Sequence, residues 1–491
     1  MNPPYSASYK RGVVLLLMLA YTFNAMDRTI ISIIGQSMKL DLKLSDTQLG
    51  LLGGTAFAVL YAFGGIPIAR LAERISRVNI ITAALIVWST LSALCGAAAS
   101  FPQLLLIRVG VGVAEAGCSP PAHSLISDYF EPSRRTSALS IYSCGTSLGY
   151  LLAAVAGGYV AQHWGWRAAC AMVGLPGVVV ALLIKAFIRE PPRGQWESGA
   201  GIADRGSPRP FSFASEWREL CAVGKILFTE WPVLHMVLGV TIGGFAAYGF
   251  YAFAPPYFSR AFGLDYATIG LIAGLAGGVA VGLGIVAGGF VADALAERDM
   301  RWYALVPAIG CLIALPFYLL AVLQTDWRAA AALLAMAGFF QYASLGPTFG
   351  VVQNVVAHRR RATATAVLYI CLNVFALGGG PLFTGWVIDR FAEAGFHAEN
   401  VERMPSSGAR FSGARSSFLF NCPGGEGATA ANRSSCRSTL TRATRRGIEV
   451  TLLFFAWASI HYLLASFGIA KALKAAACRA DLASSVQSES I

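Results

Sequence analysis

Two pairs of charged residues inside apolar stretches are the side chains of this sequence best suited to chemistry. The first pair, Asp27 and Arg28, stands in an apolar run from Gly12 to about Ile34. With a helical rise of 1.5 Å per residue, Asp27 lies about 24 Å along a helix. At that depth in a membrane a charge costs several kcal/mol unless it faces a protein interior or a water-filled cavity, so the pair indicates a site. Because adjacent helical residues point about 100° apart, Asp27 and Arg28 cannot share one small partner. The alternative to a functional site is a structural ion pair with a neighbouring helix.

The second pair is Arg108 and Glu115, in the stretch from Ile107 to Gly117. Residues seven apart lie within about 20° on one helix face and about 10 Å apart along it, so both side chains line one stripe. A cluster of acids and bases at mid-membrane depth can exchange protons or cations when it opens to either side, as an ion-coupled carrier requires. A structural brace between the first and fourth helices is the alternative.

The composition predicts an integral membrane protein around these charges. Of the 491 residues, 56% are hydrophobic and 13% are charged, whereas soluble domains contain about a quarter charged residues. Apolar runs of helix-spanning length recur along nearly the whole chain. We therefore predict an all-α membrane protein, and we interpret the first apolar segment as a retained helix.

Other classes of function lack their sequence signals. The net charge of +12 is explained by Lys and Arg in cytoplasmic loops, and no basic stripe interleaved with aromatic residues suggests a nucleic-acid partner. The ten cysteines show neither CxxC nor Cys/His ligand spacing, and no GxxxxGK[ST] occurs. We therefore expect no metal site, no cofactor, no ATP-driven pumping and no enzymatic activity.

Hydropathy predicts twelve spans in two six-helix bundles. They cover 11–36, 46–69, 79–99, 102–128, 135–162, 167–188, 232–259, 266–292, 302–323, 328–356, 362–390 and 448–475. With this count most loop arginines fall on one side, so the positive-inside rule places both termini in the cytoplasm. The predicted domains are an N-terminal bundle 1–188, a cytoplasmic linker 189–231, a C-terminal bundle 232–475 with a periplasmic loop 391–447, and a cytoplasmic tail 476–491.

The two bundles repeat each other locally. Gly112, Pro121, Arg134 and Arg135 recur 226 residues later, as Gly338, Pro347, Arg360 and Arg361. Internal repeats of this kind build many secondary transporters, whose site lies at the interface between repeats. Under the same offset Glu115 becomes Gln341, so the charges belong to the first half. The facing helices of the second half offer aromatic and neutral polar candidates for a cavity lining, which are Tyr248, Tyr251, Gln341, Tyr342, Tyr369 and Asn373.

Several of these stretches resemble motifs of the major facilitator superfamily. Ala69-Arg-Leu-Ala-Glu73-Arg74-Ile-Ser-Arg77 is similar to the family's loop 2–3 signature G-x-L-A-D-R-x-G-R, with Ala, Glu and Ser in place of Gly, Asp and Gly. Gly289-Phe-Val-Ala-Asp293 resembles its second copy. The run Arg108 to Gly117 is similar to the helix 4 motif. The stretch from Gly149 to Gly158 in the predicted fifth span resembles the family's Gly/Pro motif, although it has Ala153-Ala154 where Gly-Pro is usual.

Within the superfamily, Met26-Asp27-Arg28 and the helix 4 stretch from Gly112 to Asp128 most resemble bacterial spinster-type carriers. Animal members of the spinster family move lysolipids and sphingosine-1-phosphate. The resemblance implies a secondary carrier of an amphipathic anionic or zwitterionic molecule, working by alternating access. We expect Asp27 and Glu115 to titrate in a proton-coupled cycle, while Arg28 or Arg108 holds the anionic end of the substrate. Sugar-acid and organic-anion symporters share these charges, so the alternative function is a proton symporter of sugar acids or other organic anions. A second alternative is a membrane receptor that transports nothing.

The resemblance also implies a cytoplasmic clasp between loop acids and arginines of the two halves, formed when the carrier faces outward. The expected gating residues are Glu73, Arg74, Arg77, Asp128, Arg134, Arg135, Asp293, Arg360 and Arg361.

Cys422 and Cys436 are expected to form a disulfide, because they close a loop of about 15 residues on the oxidising side of the membrane. We expect a monomer in the bacterial inner (plasma) membrane, with the lipid bilayer, a small amphipathic substrate and H⁺ as its partners.

Overall fold

The computed structural model describes residues 5–193, 213–356, 360–403, 417–427, 430–476 and 478. Within these ranges the ordered elements are helices, so the expectation of an all-α membrane protein is confirmed. The side chains of Glu73 and Arg361, both expected in the clasp, lie outside the description although their backbones are helical.

The first part of the chain forms seven helices. They are α1 (Ala7–Leu42), α2 (Asp46–Gly53), α3 (Thr55–Arg74), α4 (Arg77–Cys95), α5 (Phe101–Glu115), α6 (Ser119–Tyr129) and α7 (Pro132–Phe187). Helix α1 begins where the Ser6 hydroxyl accepts from the Tyr9 N–H, and ends at Lys43 in a left-handed conformation. It extends past the predicted span at both ends, since nothing between Ala7 and Leu42 breaks a helix.

The rest of the chain forms twelve more. They are α8 (Phe213–Thr229), α9 (Trp231–Phe262), α10 (Tyr266–Ala273), α11 (Val281–Ala296), α12 (Trp302–Leu323), α13 (Trp327–Tyr342), α14 (Leu345–Asn354), α15 (Arg361–Cys371), α16 (Gly378–Arg403), α17 (Phe418–Asn421), α18 (Ala430–Leu452) and α19 (Phe454–Ser466). Two π-helical segments, Gly274–Ala280 and Leu372–Leu377, continue α10 into α11 and α15 into α16.

Eleven helical segments of the described ranges are long and apolar enough to cross a membrane. One of them, Ser137–Phe187, has 51 residues, which at 1.5 Å per residue is about two and a half times the thickness of a bilayer core. Gly165 interrupts it with a φ of 82°, a conformation that only glycine adopts without strain. The predicted boundary between the fifth and sixth spans, 162–167, lies at this interruption.

The predicted fourth span is two helices, because α5 stops at Glu115 and α6 starts at Ser119. Ser119 is followed by Pro120 and Pro121, which have no N–H to donate to the preceding turn. A similar break separates α13 from α14, close to Pro347, the residue 226 positions after Pro121. The break therefore places Glu115 at a helix end in the middle of a span.

The two long polar stretches are more helical than expected. The linker 189–231 contains α8, and the stretch 391–447 contains the end of α16 together with α17 and most of α18. Hydropathy identified where the apolar spans stop, but a helix with a polar face can continue beyond the end of an apolar span. In α18 the arginines of the predicted loop, Arg433, Arg437, Arg442, Arg445 and Arg446, are helical.

The helices divide into two compact units. Unit 1 comprises Met1–Gly206, Tyr251–Gly278 and Pro381–Gly447. Inside it α1 packs along α7 so closely that a Cβ on Gly149 would lie 2.3 Å from the Thr22 carbonyl oxygen. A Cβ on Gly270 of α10 would lie 2.0 Å from the Ala154 carbonyl oxygen of α7. Glycines thus allow backbone-to-backbone packing at both contacts.

Unit 2 comprises Ser207–Phe250, Val279–Gly380 and Ile448–Ile491. Its core is aromatic: the Tyr318 ring of α12 lies 4.7 Å from the Phe250 ring and 5.3 Å from the Phe455 ring. The Tyr462 and Thr348 hydroxyls are 3.1 Å apart, and Ser459 donates to the Ala308 carbonyl, so the buried polar groups of α19 are satisfied.

Candidate functional site

The four predicted intramembrane charges lie together in unit 1 as two ion pairs, which we call the charge quartet (Asp27, Arg28, Arg108 and Glu115). In the first pair Arg108 Nη1 of α5 lies 2.6 Å from Asp27 Oδ2 of α1. The other carboxylate oxygen, Oδ1, accepts from the Ser92 hydroxyl of α4 at 2.5 Å. Both charged side chains are buried. Three helices therefore enclose this pair and hold both oxygens of Asp27.

The second pair is Arg28 with Glu115, joined by Nε and Oε2 at 2.9 Å. Glu115 is fully buried, whereas the Arg28 side chain is 27% exposed. Its guanidinium carbon lies 4.8 Å from the centre of the Phe57 ring and 4.4 Å from that of the Tyr61 ring, both on α3. Such cation–π contacts stabilise an arginine that is only partly paired.

The spacing on the two helices explains the pairing. Asp27 and Arg28 point about 100° apart on α1, and Arg108 and Glu115 stand two turns apart on one face of α5. Each residue of α1 therefore meets a different residue of α5, and the quartet sums to zero charge. It is not fully satisfied: Arg28 Nη2, Arg108 Nε and Glu115 Oε1 are buried without a hydrogen-bond partner in the described structure.

The candidate lining residues are placed mostly in unit 2, with Tyr251 in unit 1. Tyr248 and Tyr369 are exposed, Tyr251 and Tyr342 are half-buried, and Gln341 is buried with its Oε1 unpartnered among the described residues. Asn373 donates to the Tyr369 carbonyl, one turn back on its own helix. Their role as a cavity lining stays a prediction.

Among the predicted gating residues, Arg77 and Asp128 are brought together within unit 1. Arg77 Nη1 lies 2.5 Å from Asp128 Oδ2 and 2.8 Å from the Ser124 hydroxyl, while its Nε lies 2.7 Å from Glu190 Oε1. Burial raises the pKa of the Glu190 carboxyl. Hydrogen bonds from the Arg77 side chain, the Val78 N–H and Ser76 outweigh burial and hold that pKa below its ordinary value. This cluster ties α4 and α6 to the start of the linker.

The remaining gating candidates have local contacts. Asp293 accepts from the Tyr303 hydroxyl at 3.1 Å, and Arg135 Nε donates to the Ser127 carbonyl at 2.9 Å. Arg74 and Arg134 are exposed and Arg360 is half-buried. The clasp was predicted for an outward-facing carrier, and it stays a prediction.

Sequence reasoning missed a second buried charge cluster in unit 1, which we call the Asp46 network (Lys39, Asp46, Arg260 and Asp389). Asp46 Oδ2 lies 2.7 Å from Lys39 Nζ, and Asp46 Oδ1 lies 2.6 Å from Arg260 Nη2. Asp389 accepts from the backbone N–H groups of Asp46 and Thr47 and from the Thr47 hydroxyl, and thereby caps α2. Lys39 and Arg260 fall outside the predicted spans 11–36 and 232–259, because hydropathy ends these spans before the helices end at Leu42 and Phe262.

A disulfide lies close to this network. Cys422 and Cys436 are bonded, with their Cα atoms 5.8 Å apart. The bond joins the turn after α17 to α18, whose Thr444 hydroxyl accepts from Arg260 at 2.7 Å. The Glu426–Arg437 ion pair spans the same two segments at 2.7 Å. The stretch predicted as a loop is therefore built onto the end of α1 and α9.

Comparison with known proteins identifies the family to which this chain belongs. Residues 17–380 match the model of the Major Facilitator Superfamily. A crystal structure of a bacterial homologue of the human lysosomal transporter Spinster, inward-facing and unoccupied, superposes with a TM-score of 0.80 at 31% identity, covering 95% of this chain and 99% of that one.

Two curated relatives extend the comparison. An MFS-type efflux pump of Mycolicibacterium smegmatis is 31% identical over 78% of this chain and 85% of its own length. A hexuronate transporter of Bacillus subtilis is 25% identical over 78% of this chain and 88% of its own length. Both are named as proteins that move solutes across membranes. The chain, with eleven apolar helical segments in its described ranges and the charge quartet in the first unit, belongs to the Major Facilitator Superfamily and within it resembles the bacterial spinster-type carriers.

Proposed function

We propose that the protein is a proton-coupled secondary transporter that moves an amphipathic anionic or zwitterionic molecule by alternating access. The observation that carries this proposal is the difference between the two ion pairs. Asp27 and Arg108 are buried and enclosed, whereas Arg28 is partly exposed and its partner Glu115 has one oxygen unpaired. One pair is suited to hold the helices, the other to exchange partners.

The proposed coupling uses this second pair. A proton on Glu115 removes the negative charge that holds Arg28, and the freed guanidinium then binds the anionic end of the substrate. Loss of the substrate lets Arg28 return to Glu115 as the proton leaves. Proton and substrate binding are therefore linked through one charge, and each promotes the other. Asp27, which we expected to titrate as well, is assigned the holding role.

The architecture proposed with this function has twelve membrane crossings, two of them in α7, and both termini in the cytoplasm of a bacterial cell. The site would be presented in turn to the two sides of the inner membrane, by a monomer. The solved spinster homologue is inward-facing in its crystal, which supports a carrier cycle for this family of sequences.

A sugar acid or another organic anion is the second candidate substrate, and a specific observation favours it. The hexuronate transporter of B. subtilis aligns over most of both chains. An arginine freed by protonation would bind either kind of anion. Flux measurements with both substrate classes are therefore needed to decide between them.

The first prediction tests the coupling. Purified protein in liposomes is expected to transport a labelled lysophospholipid or glucuronate at a rate that depends on an imposed pH gradient. Glu115→Gln mimics the protonated acid, so it should keep exchange of internal for external substrate and lose the response to the gradient. Asp41→Asn is the matched control, because Asp41 is an exposed acid of α1 paired with Arg167.

Three results would contradict the proposal. Gradient-driven transport by Glu115→Gln would exclude Glu115 as the coupling group. Equal loss in Asp41→Asn would show a general effect of removing a carboxylate. No flux of either probe by the unmodified protein would reject the proposed substrate classes.

A further inference from the structure

Three arginines of α18 run against the positive-inside rule. Arg442, Arg445 and Arg446 directly precede the last predicted span, 448–475, and the proposed topology puts that end of the span outside the cell. Lys and Arg close to span ends are normally concentrated on the cytoplasmic side. A cluster of cations at the opposite end of a span therefore calls for a partner of negative charge at that surface.

Helix geometry directs the three arginines away from the protein. All three are exposed, whereas Thr444 and Gly447 between and beside them are buried. At 100° per residue, Arg445 and Arg446 lie about 60° and 40° to either side of Arg442, and Thr444 and Gly447 point to the opposite face. The arginines thus occupy one outward sector about 100° wide, within about 6 Å along the helix axis.

Packing against α16 places these arginines at the edge of the apolar layer. A Cβ on Gly447 would lie 2.4 Å from Ile388 Cγ1 and 3.2 Å from the Ile388 nitrogen, so the two helices touch at this point. Arg446 of α18 and Arg390 of α16 are both within about 3 Å of the contact along their helices. Arg390 is exposed and is the last residue of the predicted eleventh span. Two independent span ends therefore agree with the contact.

A tryptophan marks the same level of the membrane. Trp386 is 47% exposed and lies one turn before Arg390 on α16, and the Arg390 guanidinium carbon is 5.5 Å from the centre of its ring. Exposed tryptophans are enriched where a membrane protein crosses the head-group region. We call this group of residues the interface patch, which consists of Trp386, Arg390, Arg442, Arg445 and Arg446.

The chemistry of the patch fits a phosphodiester. A guanidinium presents parallel N–H donors that match two phosphate oxygens. The four arginines outnumber Glu449, the one acid in the next turn of α18, and Asp389 is engaged in capping α2. A zwitterionic head group brings its own cation to this positive surface, so an anionic head group is favoured. The head-group layer is about 5–8 Å thick on each side of a bilayer, similar to the axial spread of the arginines.

We propose that the interface patch binds the head group of an anionic phospholipid in the outer leaflet of the surrounding membrane. The inner face of the same turn carries Thr444, whose hydroxyl accepts from Arg260 of the Asp46 network. A lipid on the outer face would therefore brace the turn of α18 that the network holds from inside. The inference is separate from the transport function and uses the proposed topology only to name the leaflet.

The test compares dioleoyl phosphatidylglycerol with dioleoyl phosphatidylcholine, which share their acyl chains and differ in net charge. Binding of the first lipid to the purified full-length protein in an uncharged detergent is measured by native mass spectrometry. An arginine near an anionic surface contributes about a fivefold gain in affinity. The unmodified protein should bind the anionic lipid about 25-fold more tightly, and Arg445→Gln with Arg446→Gln should lose most of this preference.

A matched double variant separates the patch from a general effect of charge. Arg433→Gln with Arg437→Gln removes the same charge from exposed positions of the same helix, two to three turns farther from the contact, and should keep the preference. The anionic lipid should also raise the thermal unfolding temperature of this control but not that of the patch variant. If the patch double variant does not fold, Arg446→Gln alone should lower the preference about fivefold.

Three results would overturn the inference: equal binding of both lipids by the unmodified protein, full preference in the patch variants, or equal loss in the control. Glycerophosphoglycerol, the same head group without acyl chains, should not displace the lipid at millimolar concentration; displacement would assign the patch to a soluble anion instead. These outcomes do not depend on transport. An inactive alkaline phosphatase fused after Gly425 would overturn the choice of leaflet alone.

Discussion

At the scale of single residues, access to solvent distinguishes the two ion pairs of the charge quartet. Asp27 is held by Arg108 and Ser92, and both charged partners are buried. Glu115 is held by one nitrogen of Arg28, an arginine that is 27% exposed and lies against the Phe57 and Tyr61 rings. Two pairs of the same kind, each an arginine with a carboxylate, are thus assigned different roles, because a buried pair cannot separate without leaving a charge uncompensated.

The second prediction follows from this difference. Asp27→Asn leaves the buried Arg108 without its counter-charge, and breaking a buried ion pair costs about 3–5 kcal/mol. Glu115→Gln leaves Arg28, which can turn toward solvent, so its cost should be clearly smaller. Thermal unfolding of both purified variants, followed by tryptophan fluorescence, measures the contrast. Equal destabilisation, or a stable Asp27→Asn variant, would mean that the enclosed pair does not hold the helices.

At the scale of helices, the Asp46 network joins elements that are distant in sequence. Asp46 begins α2, Lys39 lies in the last turn of α1, Arg260 lies in the last turn of α9 and Asp389 lies in α16. Arg260 also binds Gln36 Oε1 and the Thr444 hydroxyl. One carboxylate therefore holds two buried cations at the point where helices of both sequence halves meet within unit 1.

The third prediction concerns this network. Asp46→Asn would leave Lys39 and Arg260 as two buried cations without their shared acid, so we expect the thermal unfolding temperature to fall strongly. Asp41→Asn, five residues earlier, breaks only the exposed pair with Arg167, which is worth about 0–1 kcal/mol. If both variants unfolded at the same temperature, the network would contribute no more to stability than a surface ion pair.

At the scale of the whole molecule, the compact units differ from the two sequence halves. Unit 1 contains the first six predicted spans and also Tyr251–Gly278 and Pro381–Gly447. The disulfide between Cys422 and Cys436 lies within the last of these segments. The sequence repeat therefore describes how the chain is built, whereas the contacts describe how its helices group in this conformation.

The fourth prediction tests the membrane topology. With twelve crossings, green fluorescent protein fused to the C-terminus should fluoresce in the cytoplasm, and alkaline phosphatase fused after Gly425 should be active in the periplasm. A membrane-impermeant thiol reagent should label Cys422 in whole cells only after reduction. An inactive phosphatase fusion, or labelling of Cys422 without reductant, would contradict the arrangement.

The features that the sequence by itself determined are those that depend on neighbours along the chain. A run of apolar residues interrupted by Asp27 and Arg28 marks a span and a costly charge, and the seven-residue spacing of Arg108 and Glu115 puts both on one face. The predicted boundary at 162–167 likewise falls where Gly165 interrupts the helix. Helix periodicity and desolvation act over one or two turns, so they can be deduced without a tertiary structure.

The tertiary structure alone decided which charges are partners. Asp27 pairs with Arg108 across 81 residues, Arg28 with Glu115 across 87, and Asp46 with Arg260 across 214. The predicted span boundaries put Lys39 and Arg260 in short loops, whereas the structure buries both side chains in the Asp46 network. A hydrogen bond depends on distances of about 3 Å between atoms, and for residues this far apart in the chain such distances are set by how whole helices pack.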